Sequence, residues 1–236
     1  MLNAIKPSIS FVIPCLNEVE AVNPVLRRLV GVIESPLFQQ TFSHAEIIVV
    51  DDGSSDDSQR RVAQFPGVRL IQHIVNQGYG AALKTGFKAS AGDLITFLDM
   101  DSSYDPESIT ALYSAMQAKN LDMIFGCRFQ PKSQMPPIRK FGNYFFAQIV
   151  RLFFTTEITD VCTGFRVFRK SLLPKVIALE EKGLNFSISL TLLAMKDRWN
   201  IGQLQIPYLE REGRSKLSVV KDGIAFMLVI LRKSRL

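Results

Sequence analysis

Two carboxylates one residue apart, Asp99 and Asp101, follow the apolar run Leu94-Ile95-Thr96-Phe97-Leu98. Such a run reads as a buried parallel strand, and ligands of open α/β sheets gather just beyond the carboxyl ends of their strands. Oxygen donors at that place can hold a divalent ion against a diphosphate and offset the charge that builds up on a leaving group. The same Asp99-Met100-Asp101 triplet also suits a plain turn or helix cap. A second acidic cluster, Asp51-Asp52-Gly53-Ser54-Ser55-Asp56, follows another apolar run. A carboxylate there can accept from a base N–H or a ribose hydroxyl, and Gly53 permits a tight turn. An N-cap from Ser54 or Ser55 accounts for the same residues.

The cations that could meet an anionic ligand are scattered along the chain. Lys84 lies in the small-residue stretch Asn76–Gly86, either as a solvated charge or as a diphosphate contact; the glycine spacing there is not that of a dinucleotide loop. Arg128 sits just past a fifth apolar run, on the sheet edge expected for Asp52 and Asp99, unless it is a surface arginine. Arg166 follows a Thr-Gly-Phe turn near Asp160, and the two could form a structural ion pair or an anion site. Arg211, Arg214 and Lys216 crowd a glycine-containing loop that is either a solvated basic face or a phosphate clamp. No Ser/His/Asp or Cys/His nucleophile arrangement is visible. His44 and His73 read as surface or strand-end residues, and Cys15 and Cys127 as inert strand-end thiols.

The elements that must position these groups alternate. Strands are expected at 10–14, 46–50, 68–71, 94–98 and 123–126, with helices at 20–33, 56–64, 80–90 and 106–118 between them. Regular βα alternation predicts a mostly parallel, Rossmann-like α/β sheet with helices on both faces. Gln130–Pro137 breaks the pattern as a loop, Phe141–Phe154 is dense in aromatics, and 202–207 reads as a further short strand. The last 26 residues carry seven Lys/Arg against two acids. They form a basic loop followed by an amphipathic helix at 211–236, either part of or appended to a catalytic domain over 1–210.

At 236 residues, 47% hydrophobic and 21% charged, the chain can bury a sizeable core. A formal charge of +6 points to anionic partners such as nucleotide phosphates or lipid headgroups. The three cysteines have no metal-ligand spacing, so a reduced compartment is expected. No signal-peptide pattern starts the chain, so export is not expected. No apolar stretch reaches the roughly 18 residues needed to span a bilayer.

Seven blocks in order resemble glycosyltransferase family 2, the GT-A fold. They are Phe11-Val-Ile-Pro14-Cys-Leu-Asn17-Glu18, Val49–Asp56, Asn76–Ala81, Asp99-Met100-Asp101, Gly126-Cys127-Arg128, Thr159-Asp160 with Gly164-Phe165-Arg166, and Gly213–Lys216. The last two blocks look most like the dolichyl- or polyprenyl-phosphate sugar transferase branch. The resemblance implies that Pro14, Leu16, Glu18, Asp52, Lys84 and Met100 line the nucleotide-sugar pocket. It implies that Asp99 and Asp101, with Ser103, hold Mg2+ or Mn2+ and the diphosphate, and that Arg128, Arg211 and Lys216 meet phosphates of the donor or the acceptor. Asp160, Arg166 and Arg214 are its candidates around the acceptor phosphate.

The reaction implied is inverting transfer from a GDP- or UDP-linked sugar to an undecaprenyl or dolichyl phosphate. It would take place at the cytoplasmic membrane face, with the enzyme peripheral or monotopic. A phosphate acceptor needs no general base, and none is obvious in the sequence. A glycan or other hydroxyl acceptor is the alternative, with Asp160 the sole candidate base; an anion-binding membrane tether is a third reading. No nucleic acid partner is expected, and self-association is left open. Three positions depart from the family pattern: Ser102-Ser103 where relatives often carry Leu-Gln, no acid in Gly183–Ser189, and Arg211 one position closer to Gly213.

Overall fold

The computed structural model describes residues 6–130, 133–213 and 218–234. Strand β1 (Ser8–Cys15) is apolar on both sides: Ile9, Phe11 and Ile13 enter one core, Val12 the opposite one. A strand buried on both faces needs helices above and below it, and the chain supplies them. In order follow α1 (Val19–Glu34), α2 (Pro36–Thr41), β2 (His44–Asp51), α3 (Ser58–Val62), β3 (Val68–Gln72), α4 (Tyr79–Ala89), β4 (Leu94–Phe97), α5 (Ser108–Ala118) and β5 (Met123–Cys127). Then come α6 (Pro137–Phe153), β6 (Arg166–Arg169), α7 (Leu173–Ile177), α8 (Phe186–Lys196), β7 (Ile201–Gln205) and α9 (Val219–Ser234).

The seven strands form one sheet in the order β3-β2-β1-β4-β6-β5-β7. Cys15 is level with Asp51 and Val12 with Phe97, so the loops leaving β1, β2 and β4 emerge at one edge. Helices α1 and α5 cover the face of Phe11 and Ile13, whereas α4, α6, α8 and α9 cover the face of Val12, Ile95 and Phe97. The expected βα alternation is present from β1 to β5.

The later elements differ from expectation. β6 is antiparallel to both β4 and β5 and sits between them. Four residues are too few to show a period, so neither the strand nor its direction was readable from its pattern. Helix α8 is buried on nearly every side and carries no polar face to reveal it. Helix α2 is opened by Ser35, whose hydroxyl accepts from the N–H of Phe38 at 3.3 Å. The aromatic segment is α6, which packs on α9 with the Phe146 and Phe226 rings 5.4 Å apart. β7 is the short strand foreseen near 202, and it pairs parallel to β5.

Candidate active site

At the edge where β1, β2, β4 and β5 end, a cavity of about 500 Å3 opens. Pro14, Cys15, Leu16 and Glu18 line it from the β1 loop, Asp52 from β2, and Asp99, Met100, Asp101 and Ser103 from the β4 loop. Ser102 takes a positive φ of 62°, and this turn folds Ser103 back onto the preceding carboxylate. Asp101 Oδ1 thus accepts from the N–H and hydroxyl of Ser103 at 3.0 and 2.5 Å. Asp101 Oδ2 accepts from Arg211 at 2.7 Å, and the other arm of that guanidinium donates to Glu18 Oε1 at 2.8 Å. Backbone bonds fasten the same segment, Leu209 N–H to Ser103 O and Glu212 N–H to Asp101 O.

Asp99 is held differently. Its Oδ1 accepts from the Tyr79 hydroxyl at 2.8 Å. Burial, with the negative charge of Asp101 beside it, pushes its carboxyl up to about 6. Gly164 backs onto the other oxygen, and a Cβ there would lie 3.0 Å from Oδ2. Glycine therefore leaves that face of the carboxylate clear.

Farther along, Arg128 is clamped by Asp160 through two bonds, Nε to Oδ2 at 2.7 Å and an Nη to Oδ1 at 2.8 Å. Its guanidinium lies over the rings of Tyr104 and Tyr208, 5.7 and 6.0 Å from their centroids. Arg139 and Asn143 of α6 line the cavity next to Tyr208, and Ile138, Gly142, Phe146, Gly223 and Phe226 carry the wall on between α6 and α9. The cavity thus runs from carboxylates, past two arginines, into an apolar groove. On the outer side of that groove Phe141, Phe145 and Leu152 of α6 and Ile224 and Leu228 of α9 are exposed. No helix among the described residues is long and apolar enough to cross a membrane.

The structure brings Pro14, Leu16, Glu18, Asp52, Asp99, Met100, Asp101, Ser103, Arg128 and Arg211 to one cavity. Three expected residues are elsewhere. Lys84 does not line it: its ammonium donates to the Leu179 carbonyl at 2.6 Å, tying α4 to the segment before α8. Arg166 is fully buried, donating to the carbonyls of Thr163, Val161 and Ser187 over the Phe125 ring, so no phosphate reaches it. Burial takes its pKa down to about 10. Asp160 is fully buried as well, and its partner is Arg128 rather than Arg166: both carboxylate oxygens accept from Arg128, which makes it a holder of that arginine. Arg214 and Lys216 lie outside the described residues.

Arg139, Asn143, Tyr79, Tyr104 and Tyr208 were not anticipated. For Arg139 a signal exists: it stands in the first turn of a helix opened by Pro136-Pro137, where the helix dipole disfavours a cation. A cation kept at such a place has some other partner to meet.

The family model for glycosyl transferase family 2 matches residues 10–177. The chain belongs to that family. An undecaprenyl-phosphate mannosyltransferase of Micrococcus luteus is 28% identical over 88% of this chain and 86% of its own length. A dolichyl-phosphate hexose transferase of Haloferax volcanii is 28% identical over 83% and 84%. Glucosyl-3-phosphoglycerate synthase of Mycobacterium tuberculosis, solved with Mn2+, UDP and glucosyl-3-phosphoglycerate, matches with a TM-score of 0.76 at 20% identity, over 98% of this chain and 81% of that one. That likeness places the fold of this family 2 chain among GT-A glycosyltransferases.

Proposed function

We propose that this family 2 chain transfers a sugar from a nucleotide-sugar donor to a polyprenyl phosphate while resting on the cytoplasmic face of a membrane. The observation that carries the reading is the continuity of the cavity: acidic donors at β2 and β4, arginines in the middle, and an apolar groove between α6 and α9. A lipid phosphate needs this combination, with cations for its head and a greasy channel for its chain. A soluble phosphate needs no such groove.

The donor set fits a hard divalent cation such as Mg2+ or Mn2+. Asp99 and Asp101 offer two carboxylates on one loop, and glycine at 164 leaves room beside Asp99 that a Cβ would take. Two carboxylates from the chain, with diphosphate oxygens completing the shell, is the arrangement expected of such an ion. When bound there, the ion supplies charge neutralisation to the departing nucleoside diphosphate. Arg211, already on Asp101 and Glu18, is within the same cavity to meet diphosphate oxygens as they arrive. Arg128 is held rigid by Asp160 and two tyrosines, and Arg139 stands nearby on α6; together they orient the acceptor phosphate toward the anomeric carbon. The acceptor oxygen is already an anion at neutral pH, so attack with inversion needs no proton removed.

Asp160 was the sole candidate base for a hydroxyl acceptor, and its engagement by Arg128 argues against that alternative. The exposed aromatics of α6, with the exposed Lys140 and Arg151 of the same helix, suit an interface with anionic lipid. The test is radiolabelled transfer from a panel of nucleotide sugars to undecaprenyl and dolichyl phosphates, with and without Mn2+. Label extractable into organic solvent from at least one donor is expected, and its absence from all of them would sink the reading.

A further inference from the structure

The small-residue stretch Asn76–Gly86 lacks the glycine spacing of a dinucleotide loop, yet its first residues hold both acidic turns of the cavity. The N–H groups of Gln77 and Gly78 donate to Asp52 at 2.9 and 2.8 Å. The next residue, Tyr79, opens α4 and sends its hydroxyl to Asp99 Oδ1 at 2.8 Å. Two glycines fix where that tyrosine stands. Gly78 takes a φ of +100°, and a Cβ there would meet the Lys182 carbonyl at 2.5 Å. A Cβ on Gly80 would meet Phe186 Cβ at 2.6 Å, so the first turn of α4 lies directly against the 181–186 segment. The Ala81 N–H donates to the Lys182 carbonyl at 3.1 Å and fastens that contact.

A hydrogen bond to one oxygen of a carboxylate sets the rotation of the whole group. Tyr79 ties Oδ1 of Asp99 to α4, while Oδ2 has no hydrogen-bond partner among the described residues. Asp101 is arranged alike: its Oδ1 is taken by the Ser103 N–H and hydroxyl, and its Oδ2 meets the Arg211 guanidinium. Each acid thus has Oδ1 tied by a neutral hydroxyl and Oδ2 left to face a cation. A small ion that keeps to octahedral geometry, such as Mg2+ or Mn2+, takes one oxygen from each carboxylate; Ca2+, larger and less strict, readily takes both. We propose that Tyr79 is a positioning residue for Asp99 that selects Mg2+ or Mn2+ over Ca2+ by limiting the carboxylate to one oxygen. The proposal rests on the reading of Asp99 and Asp101 as donors to a divalent ion.

The experiment measures Mn2+ bound to the full chain by water proton relaxation, alone and with UDP or GDP, and its displacement by Ca2+. It compares the wild type with Tyr79→Phe. The wild type is expected to hold Mn2+ tighter than Ca2+ by roughly tenfold or more. Tyr79→Phe keeps the ring and frees Oδ1, so Ca2+ gains a second oxygen. The Mn2+-to-Ca2+ ratio then falls by roughly tenfold, the scale of one hydrogen bond to a charged group, with Mn2+ affinity itself little changed. A structural role alone would weaken both ions in parallel. Ca2+ binding as tightly as Mn2+ to the wild type overturns the selection, whether or not the variant folds. A ratio unmoved or widened in Tyr79→Phe overturns the role of Tyr79. Binding of neither ion under any of these conditions overturns the reading of the acidic pair as a metal site, and the proposal with it.

Discussion

At one end of the cavity nearly every polar atom is already engaged by the protein; at the other, few polar groups stand against an apolar and partly open wall. Asp101 is bonded to Ser103 and Arg211, Glu18 to Arg211, and Asp52 to three donors. Between α6 and α9 the lining is chiefly Ile138, Phe146 and Phe226, with Arg139, Asn143 and Asp222 as its polar members. The difference teaches that the two ends recognise by different physics. The acidic end is preorganised, so a ligand there exchanges one set of partners for another and small geometric errors are costly. The apolar end offers burial, is tolerant of shape, and adjoins a surface where Phe141, Phe145, Ile224 and Leu228 are exposed.

The largest effects are expected at the preorganised end. Asp101→Asn keeps the shape and removes the charge, and transfer should fall by roughly a hundredfold or more, as when one well-placed electrostatic group is lost. Initial rates at saturating donor measure it; a loss under threefold would mean the acidic loop is not the diphosphate site. Arg211→Ala sharpens the point from the opposite side. It strips a cation from Asp101 and Glu18, so Mn2+ without nucleotide should bind several-fold tighter by titration calorimetry, while transfer still slows. Weaker Mn2+ binding would show that the guanidinium does not compete for those carboxylates.

Arg139→Ala tests the middle ground. KM for polyprenyl phosphate should rise roughly tenfold or more, the scale of a lost charge-assisted phosphate contact, with UDP or GDP affinity unmoved. Equal loss of donor affinity would move Arg139 to the acidic end. On the apolar side, Phe141→Ser with Phe145→Ser removes two exposed rings, 70% and 46% accessible, that pack little within the fold. The affinity for anionic vesicles, read by sedimentation, should then drop by roughly thirtyfold, each ring being worth on the order of 1 kcal/mol when half buried in an interface. Undiminished vesicle binding would leave α6 without a membrane role.

The same contrast explains what could be read from the amino-acid order. β1 to β5 and the acidic residues at their ends were legible because each strand is a short apolar run followed by its own chemistry, as in Leu94–Asp101. The sites of Asp52, Asp99 and Arg128 follow from topology alone. Beyond Cys127 the logic is tertiary. Arg166 and Asp160 are six residues apart and look like a pair, yet β6 runs antiparallel and turns Arg166 into the core, leaving Asp160 to Arg128. Lys84 faces a carbonyl ninety-five positions away, a partner no local spacing announces. Arg139 reaches the cavity only because α6 folds back over the β5 end.

The smallest expected effect concerns how the apolar end is fastened to the rest. Buried Glu181 accepts from Ser189 Oγ at 2.6 Å and from Arg232 of α9 at 2.5 Å, with Lys233 Nζ 3.4 Å away. Its neighbours carry the Lys84 and Ala81 bonds, so one segment joins α9 to the α4 turn that holds Asp52. Burial works to raise the Glu181 carboxyl, but Ser189 and Lys233 hold it below the ordinary value of 4.5 on balance. A depressed native pKa contributes stability that is complete above the unfolded value and lost as pH falls through the native one. Glu181→Gln keeps a hydrogen bond to Ser189 and loses the ion pairs. Arg232 is half exposed and screened by water, which limits the cost to about 1 kcal/mol, or a Tm lower by roughly 2–4 °C at neutral pH. That difference should shrink as pH drops below 4.5, because protonation then removes the same charge from the wild type. A Tm gap constant across that range would mean that packing of α9 on α8, and not the charge on Glu181, sets how firmly the apolar wall is attached.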